Sequence, residues 1–345
     1  MSASTNATTP ERDATMKAIV QRGYGAPEQV LAPDDIARPD PSDDEVLVRM
    51  RATSVNTPDW LAVTGVPYLL RLGFGLRRPA TPVRGSDIAG TVEAVGKNVT
   101  GFRPGDEVFG SLWGNSAKSL AGTFAEFTVV PASQLIGKPA ELSFAEAAAS
   151  VMSGITALLA MRDVGRAGPG KRVLINGASG GVGTLAVQIA KTLGAQVTGV
   201  CSTRNIELVQ SLGADHIIDY TREDYTRGTQ RYDVILDNVL NHPPSATADL
   251  LTPTGIFIPN SIGSARGLFG SLPRIARAKM MGWGSTDVRT VTCLPGQDDL
   301  NDLAALLVSG DVKVIIERAY PLGEAAHAVA HMLGHHARGK IVITD

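Results

Sequence analysis

Residues 173–183 read Val173-Leu174-Ile175-Asn176-Gly177-Ala178-Ser179-Gly180-Gly181-Val182-Gly183. A β-branched strand runs into a glycine turn that opens a helix, expected over residues 181–193. This is the context that a dinucleotide-binding fingerprint requires. Glycines let backbone N–H groups approach a pyrophosphate with no Cβ atoms in the way. The helix N-terminus then adds unpaired donors and the positive end of a dipole. Ala178 stands where the first glycine of a G-x-G-x-x-G pattern belongs, whereas Gly180 and Gly183 keep the other two. A plain glycine-rich βα turn used for tight packing is the bland alternative. The strand before the turn and a second strand, Gln196–Cys201, favour the nucleotide.

Working outward, strands and helices alternate. Strands are expected at 172–176, 196–201, 216–219, 232–237 and 255–259, with a sixth at 288–293, and a helix at 205–212. Such alternation predicts a parallel sheet with right-handed crossovers. The end of the second strand bears on the cofactor. An NAD site usually carries an acid there, on the ribose 2′-hydroxyl. This chain reads Cys201-Ser202-Thr203-Arg204-Asn205 instead. A hydroxyl followed by a guanidinium suits a 2′-phosphate, which Arg meets with a planar fork. NADPH is therefore expected over NADH, with a solvated Arg204 as the alternative.

Upstream, residues 17–20, 45–51, 85–98 and 102–109 have the short apolar runs and turns of a β-rich region. Downstream of Pro139, residues 144–150 and 154–161 are Ala/Leu-rich helical stretches. The tail reads helix, strand, helix, strand at 298–308, 314–320, 323–333 and 340–344, and is expected to return to the first domain. The expected organisation is a disordered leader at 1–15, a β-rich domain at 16–136, a nucleotide domain at 137–296 and the returning tail at 297–345. The chain has 345 residues, 32 Lys plus Arg and 34 Asp plus Glu, for a net charge of −2. No global field draws it to nucleic acid or anionic lipid. Two cysteines exclude a disulfide scaffold and cannot by themselves form a structural zinc site. The leader lacks an apolar core, and the apolar runs read as too interrupted for a membrane span. A cytoplasmic enzyme is the expectation.

With these residues in view, the chain resembles the medium-chain dehydrogenase/reductase superfamily, in its zinc-free quinone oxidoreductase, zeta-crystallin-like branch. Ser54-Val55-Asn56-Thr57-Pro58-Asp59-Trp60 is similar to the branch's S-x-N-x-x-D segment. Gly85-Ser86-Asp87-Ile88-Ala89-Gly90, Val95-Gly96 and Gly105-Asp106-Glu107-Val108-Phe109-Gly110 resemble its G-x-D-x-x-G…VG…GDxVxG series. Gly122-Thr123-Phe124-Ala125-Glu126-Phe127 and the closing Ala337-Arg338-Gly339-Lys340-Ile341-Val342 continue the match, which covers nearly everything from Met16 to Asp345. The ordered series is what makes the resemblance specific.

The resemblance implies an α/β fold: a GroES-like substrate domain, a Rossmann cofactor domain with a doubly wound parallel sheet, and a cleft between them. It implies hydride transfer from NADPH to a quinone or enone, and a homodimer. Zinc-dependent relatives carry a Gly-His-Glu segment where this chain has Gly85-Ser86-Asp87, and no cysteine precedes Cys201. Without soft ligands or that histidine, no catalytic metal is expected. By the same resemblance, Asn56 sits near the nicotinamide and hydrogen-bonds a substrate carbonyl, or else caps a turn. Ser179, Gly180, Gly181 and Val182 form the phosphate loop, and Ser202, Arg204 and Tyr220 lie at the adenosine 2′-phosphate. Thr156 contacts the nicotinamide ribose, or is an ordinary helix threonine. Asn238 faces the cofactor at a strand end, and Ser261 and Ile262 meet the carboxamide. Lys340 or Arg338 reaches the adenosine phosphate, unless the tail is solvated. Tyr68 is a substrate-pocket candidate.

Two constellations compete. His327, His331 and His335, with His336 beside them, share a helix face and invite a metal; a surface helix end is the alternative. The basic stretch 265–283, with Arg266, Arg274, Arg277 and Lys279, reads as a cleft lid rather than a membrane-touching helix. No His/Asp or Cys/His pair supports a nucleophilic mechanism. The runner-up activities are a zinc-free alcohol dehydrogenase and an enoyl-thioester reductase. A reading of another class is an NADPH-binding sensor or structural protein with little turnover.

Overall fold

The computed structural model describes residues 15–114, 122–261, 272–282, 286–334 and 338–345. The leader up to residue 14, Ile262, His335, His336 and part of the basic stretch lie outside the described residues.

The first half is antiparallel. Strands β1 (Thr15–Gln21) and β2 (Leu31–Ala37) form a two-stranded ribbon. Pro33 and two aspartates hide β2 from a pattern search; Pro is tolerated there because the strand has a free edge. Strands β3 (Glu45–Ser54), β4 (Asp87–Val95), β5 (Glu107–Ser111), β6 (Phe127–Pro131) and β7 (Leu135–Gly137) build a larger sheet. Its buried valines and Ile88 make one core layer.

The second half is a parallel sheet of β8 (Arg172–Asn176), β9 (Gln196–Cys201), β10 (His216–Asp219), β11 (Tyr232–Asp237), β12 (Leu251–Pro259) and β13 (Asp287–Val288). The order β10-β9-β8-β11-β12-β13 reverses direction at β8, the point where open α/β sheets bind ligands. The parallel sheet expected from the alternation, and the doubly wound order that the resemblance implies, are observed. The sixth strand is shorter than expected. Only Asp287 and Val288 pair with β12, because the chain then leaves the edge and Cys293 packs against the main core.

Finally, β14 (Ile316–Pro321) and β15 (Lys340–Thr344) join the first sheet, where β15 pairs antiparallel with β3. The two helical stretches expected after Pro139 are one helix. It runs Phe144–Leu158 and widens into a π turn at Leu159–Val164. Ser143 and Glu146 cap its start reciprocally. At 21 residues, Phe144–Val164 is long and apolar enough to cross a bilayer, which corrects the expectation that no run reaches that length. It is instead a core helix, 78% buried over its most apolar window. It packs against β3, β4, β5 and β15 on one side and against the helices Gly181–Thr192 and Gln297–Val308 on the other. Gly154 makes the last approach possible, since a Cβ there would lie 2.8 Å from Leu303.

Candidate active site

Val173, Leu174 and Ile175 are fully buried, so β8 delivers the glycine turn at a fixed point on the sheet's carboxyl edge. Gly177 has φ +77°, a conformation that a side chain resists. A Cβ on Gly183 would lie 2.1 Å from the Gly177 carbonyl oxygen; a Cβ on Gly180 would meet only that oxygen, at 3.5 Å. Packing therefore demands glycine at 183 but not at 180. The space over Gly180 is left on the open side. Ser179, Gly180, Gly181 and Val182 are half-buried above a buried floor, at the N-terminus of a 12-residue helix. That is an anion cradle.

Along the same edge, Asn205 Nδ2 donates to Ser179 Oγ at 2.9 Å and to Ser202 Oγ at 3.2 Å. Asn205 Oδ1 is buried with no partner among the described residues. The Tyr220 N–H donates to the Cys201 carbonyl oxygen at 3.1 Å, which sets Tyr220 beside Ser202. Its ring and the Arg204 side chain are exposed. Sequence reasoning missed Asp219 here, an acid at the end of β10. Its carboxylate accepts from Thr203 Oγ1 at 2.5 Å and Thr221 Oγ1 at 2.7 Å, and these bonds hold it below its ordinary pKa. At the other end, Asn238 Oδ1 accepts from Asn260 Nδ2 at 2.8 Å. Asn238 Nδ2 is buried without a partner among the described residues, and Ser261 follows Asn260. An orphaned amide donor, an orphaned amide acceptor and a glycine cradle on one sheet edge fit a bound dinucleotide.

In the first half, β3 ends at Ser54 and Asn56 takes the N-cap position of the helix Thr57–Thr64. Asn56 and Asp59 form a capping box there. The Asn56 Nδ2 also donates to Asp87 Oδ2 at 2.7 Å, and its Oδ1 accepts from Lys340 Nζ at 2.6 Å. Ser54 Oγ donates to the same Asp87 oxygen at 2.5 Å, and the Met152 N–H reaches Asp87 Oδ1 at 3.2 Å. All four polar side chains, Ser54, Asn56, Asp87 and Lys340, are buried. Burial pushes the Asp87 carboxyl up and the Lys340 ammonium down from their ordinary values, and each charge works against the other's shift. Asp59 braces the corner by accepting from the Asn56 N–H at 2.8 Å and the Gly85 N–H at 3.1 Å. Burial raises its pKa to about 7, and Asp87 adds to the rise.

One expectation needs correction. Lys340 does not reach an adenosine phosphate: it is 4% exposed and its ammonium lies at Asn56, with the Val55 carbonyl oxygen at 3.3 Å. Arg338 is exposed, and its N–H donates to Glu317 at 2.9 Å. Thr156 turns its hydroxyl onto the Met152 carbonyl oxygen at 2.7 Å, the bond of an ordinary helix threonine. Ser153, one turn earlier, is the hydroxyl beside the phosphate loop, since a Cβ on Gly181 would lie 3.2 Å from its Oγ. A helical pattern puts both residues on one face, so only packing separates them. Tyr68 is 48% exposed under the Arg71 guanidinium and is not drawn into the Asn56 cluster. His331 meets Tyr320 and Glu317, and His327 is exposed.

Two family profiles match the chain: "Alcohol dehydrogenase GroES-like domain" over residues 42–140 and "Zinc-binding dehydrogenase" over residues 212–343. A chloroplastic quinone-oxidoreductase, QR1, of Triphysaria versicolor is 32% identical over 341 residues, covering 95% of this chain and 98% of that protein. A 2-methylene-furan-3-one reductase of Solanum lycopersicum is 36% identical over 230 residues, 65% of this chain and 57% of that protein. The Escherichia coli quinone oxidoreductase, solved in complex with NADPH, superposes with a TM-score of 0.78 at 25% identity, over 96% of this chain and all of that one. Among the described residues, the zinc in the second profile's name finds no fitting donors. The Lys340 ammonium stands at Asn56, and the Cys293 thiol, pushed up to about 12 by burial, points at the Met152 carbonyl oxygen. Among the described residues, no three His, Cys, Asp or Glu side chains come together to hold a metal. The ordered sequence motifs, the strand order and the whole-length relatives agree: the chain belongs to the medium-chain dehydrogenase/reductase superfamily, in its quinone oxidoreductase, zeta-crystallin-like branch.

Proposed function

We propose that this chain is an NADPH-dependent reductase that passes hydride, without a metal ion, to a quinone or to the β-carbon of an α,β-unsaturated carbonyl. Its branch already makes it an oxidoreductase of the NAD(P)H-dependent, quinone- and enone-reducing kind. One observation carries the proposal: Gly339 and Lys340 join the phosphate loop to Asn56. The Gly339 N–H donates to the Ser179 carbonyl oxygen at 2.8 Å, and Lys340 Nζ donates to Asn56. A nucleotide on the loop and an acceptor at Asn56 would share this link.

When bound, the reduced nicotinamide supplies the hydride. The chain's own residues do the rest. The Ser179–Val182 backbone and the helix N-terminus bind the diphosphate. Asn238, Asn260 and Ser261 line the inner end of the edge. Ser202, Arg204 and Tyr220 surround the 2′-position, and no acid stands at the end of β9 to prefer a free hydroxyl. Asn56 offers an N–H to the acceptor oxygen as negative charge gathers there. Holding the two reactants in contact is the main contribution of the protein.

The test is loss of nicotinamide absorbance on adding o-quinones and 2-alkenals, with NADH run in parallel and chelator in a third arm. Turnover with NADPH preferred and chelator without effect is expected. Tight NADPH binding with no turnover on any acceptor would make this a sensor or structural protein. Turnover confined to enoyl thioesters or alcohols would select the runner-up enzymes. Activity lost to chelator and restored by zinc would overturn the metal-free reading.

A further inference from the structure

Lys340 stands where the two parts of the site meet. Gly339 pairs with Gly180 of the phosphate loop, and the Lys340 stem covers Gly181, where a Cβ would lie 2.9 Å from Lys340 Cδ. From there the ammonium donates to Asn56 Oδ1 at 2.6 Å. An ammonium can only donate, and a carboxylate can only accept. Between Lys340 and Asp87 the Asn56 amide has one orientation, carbonyl to lysine and nitrogen to aspartate. One N–H is committed to Asp87 at 2.7 Å. For the other, the Ser54 oxygens at 3.4 Å are too far for a strong bond. That N–H makes only these long bonds, which an acceptor oxygen can replace.

We propose that Lys340 is a positioning residue for acceptor reduction: by donating to the Asn56 carbonyl, it fixes and polarises the amide so that the second N–H meets the acceptor oxygen. A cation at the carbonyl end draws electron density from the nitrogen, and hydrogen bonds linked in such a chain strengthen one another. A donor set in advance toward developing charge lowers the barrier more than it tightens ground-state binding. The same side chain fastens this donor to the loop that holds the diphosphate. The inference rests on the chain being an acceptor reductase, and the wild-type assay tests that part separately.

The experiment compares wild type, K340M and K340M/D87N. It measures kcat and KM for a quinone, dissociation constants of NADPH and NADH by protein fluorescence, and thermal melting. The single variant leaves Asp87 without its cation and is expected to melt earlier. The double variant removes both charges and is expected to recover melting. In both, kcat should fall about 30-fold, with acceptor KM and both nucleotide constants within about threefold of wild type. Recovered kcat in the double variant would reduce Lys340 to charge balance and overturn the proposal. So would a kcat near wild type in either variant, or failure of both to fold. A loss of NADPH affinity that spares NADH would send Lys340 back to the adenosine phosphate. If wild type reduces no acceptor, the reading beneath the inference fails and the inference falls with it.

Discussion

The two sides of the cleft are built on opposite plans. The nucleotide edge is drawn from the ends of neighbouring strands of one sheet, half-open, and made largely of backbone N–H groups, hydroxyls and amides. The acceptor side is assembled from Asn56, Asp87 and Lys340, drawn from β3's end, β4 and β15, and it is buried and ionic. A pyrophosphate is large and charged, and a turn with its N–H groups facing outward suffices to hold it. A single oriented donor for a developing oxyanion needs charges fixed around it. Each side therefore fails differently when altered.

The largest effect is expected on the nucleotide side. In G183A the new Cβ would press on the Gly177 carbonyl oxygen and on the Ala178 backbone, at 2.1 and 2.8 Å. Backbone cannot rotate away, so the variant should lose roughly 2–4 kcal/mol of stability and its nucleotide binding together. G180A is the control. Its Cβ meets nothing closer than 3.5 Å, so melting should hold while NADPH affinity falls. Equal melting of the two variants would show that both glycines serve the ligand alone, and would break the distinction between floor and cradle.

That contrast also explains what could be read from the chain. Strands Arg172–Asn176, Gln196–Cys201, His216–Asp219, Tyr232–Asp237 and Lys340–Thr344 lie where the residue pattern put them. Their apolar runs and glycine punctuation are local signals. The ionic cluster has no local signal, because its members meet only after the tail returns to β3. Lys340 read as a residue for the adenosine phosphate, with a solvated tail as the alternative. One clue was present: it opens a strand whose next residues are Ile341, Val342 and Ile343, all buried, so β15 has no wet face to receive a lysine. Asn56 read as an acceptor contact or else a cap; it holds the N-cap position, and its side chain also meets Asp87 and Lys340. Thr156 and Ser153 could not be told apart by periodicity.

A smaller effect is expected at the adenosine end, where the groups are exposed. R204A should weaken NADPH binding about 10–30-fold and leave NADH within about twofold, since it removes a charge-assisted bond to one phosphoryl group. Calorimetry with both nucleotides measures it. Equal losses for the two would remove Arg204 from the 2′-position and leave Ser202 and Tyr220 to account for any preference. Asp219 sharpens the test, because its carboxylate lies beside Thr203 and repels a nearby phosphoryl group. D219N should therefore shift the preference the other way, toward NADPH.

The smallest effect concerns the acceptor side and is visible only against pH. Burial raises Asp59 to about 7, with Asp87 adding to the rise. In the unfolded chain an aspartate titrates near about 4. As pH climbs between those values, the unfolded state gives up its proton first while the folded state keeps it, so folding stability declines. Below the lower value both states are protonated, and above the upper value both are ionised, so the contribution is flat at each end. Melting of wild type should fall across that window, whereas D59N should fall less, because asparagine has no proton to lose. Asparagine still accepts one of the two N–H bonds that Asp59 receives from Asn56 and Gly85, so the variant should stay folded. If the two curves run parallel from pH 4 to pH 7, the Asp59 carboxyl is ionised throughout. Arg84, buried alongside and attracted to it, would then be the partner that keeps it so.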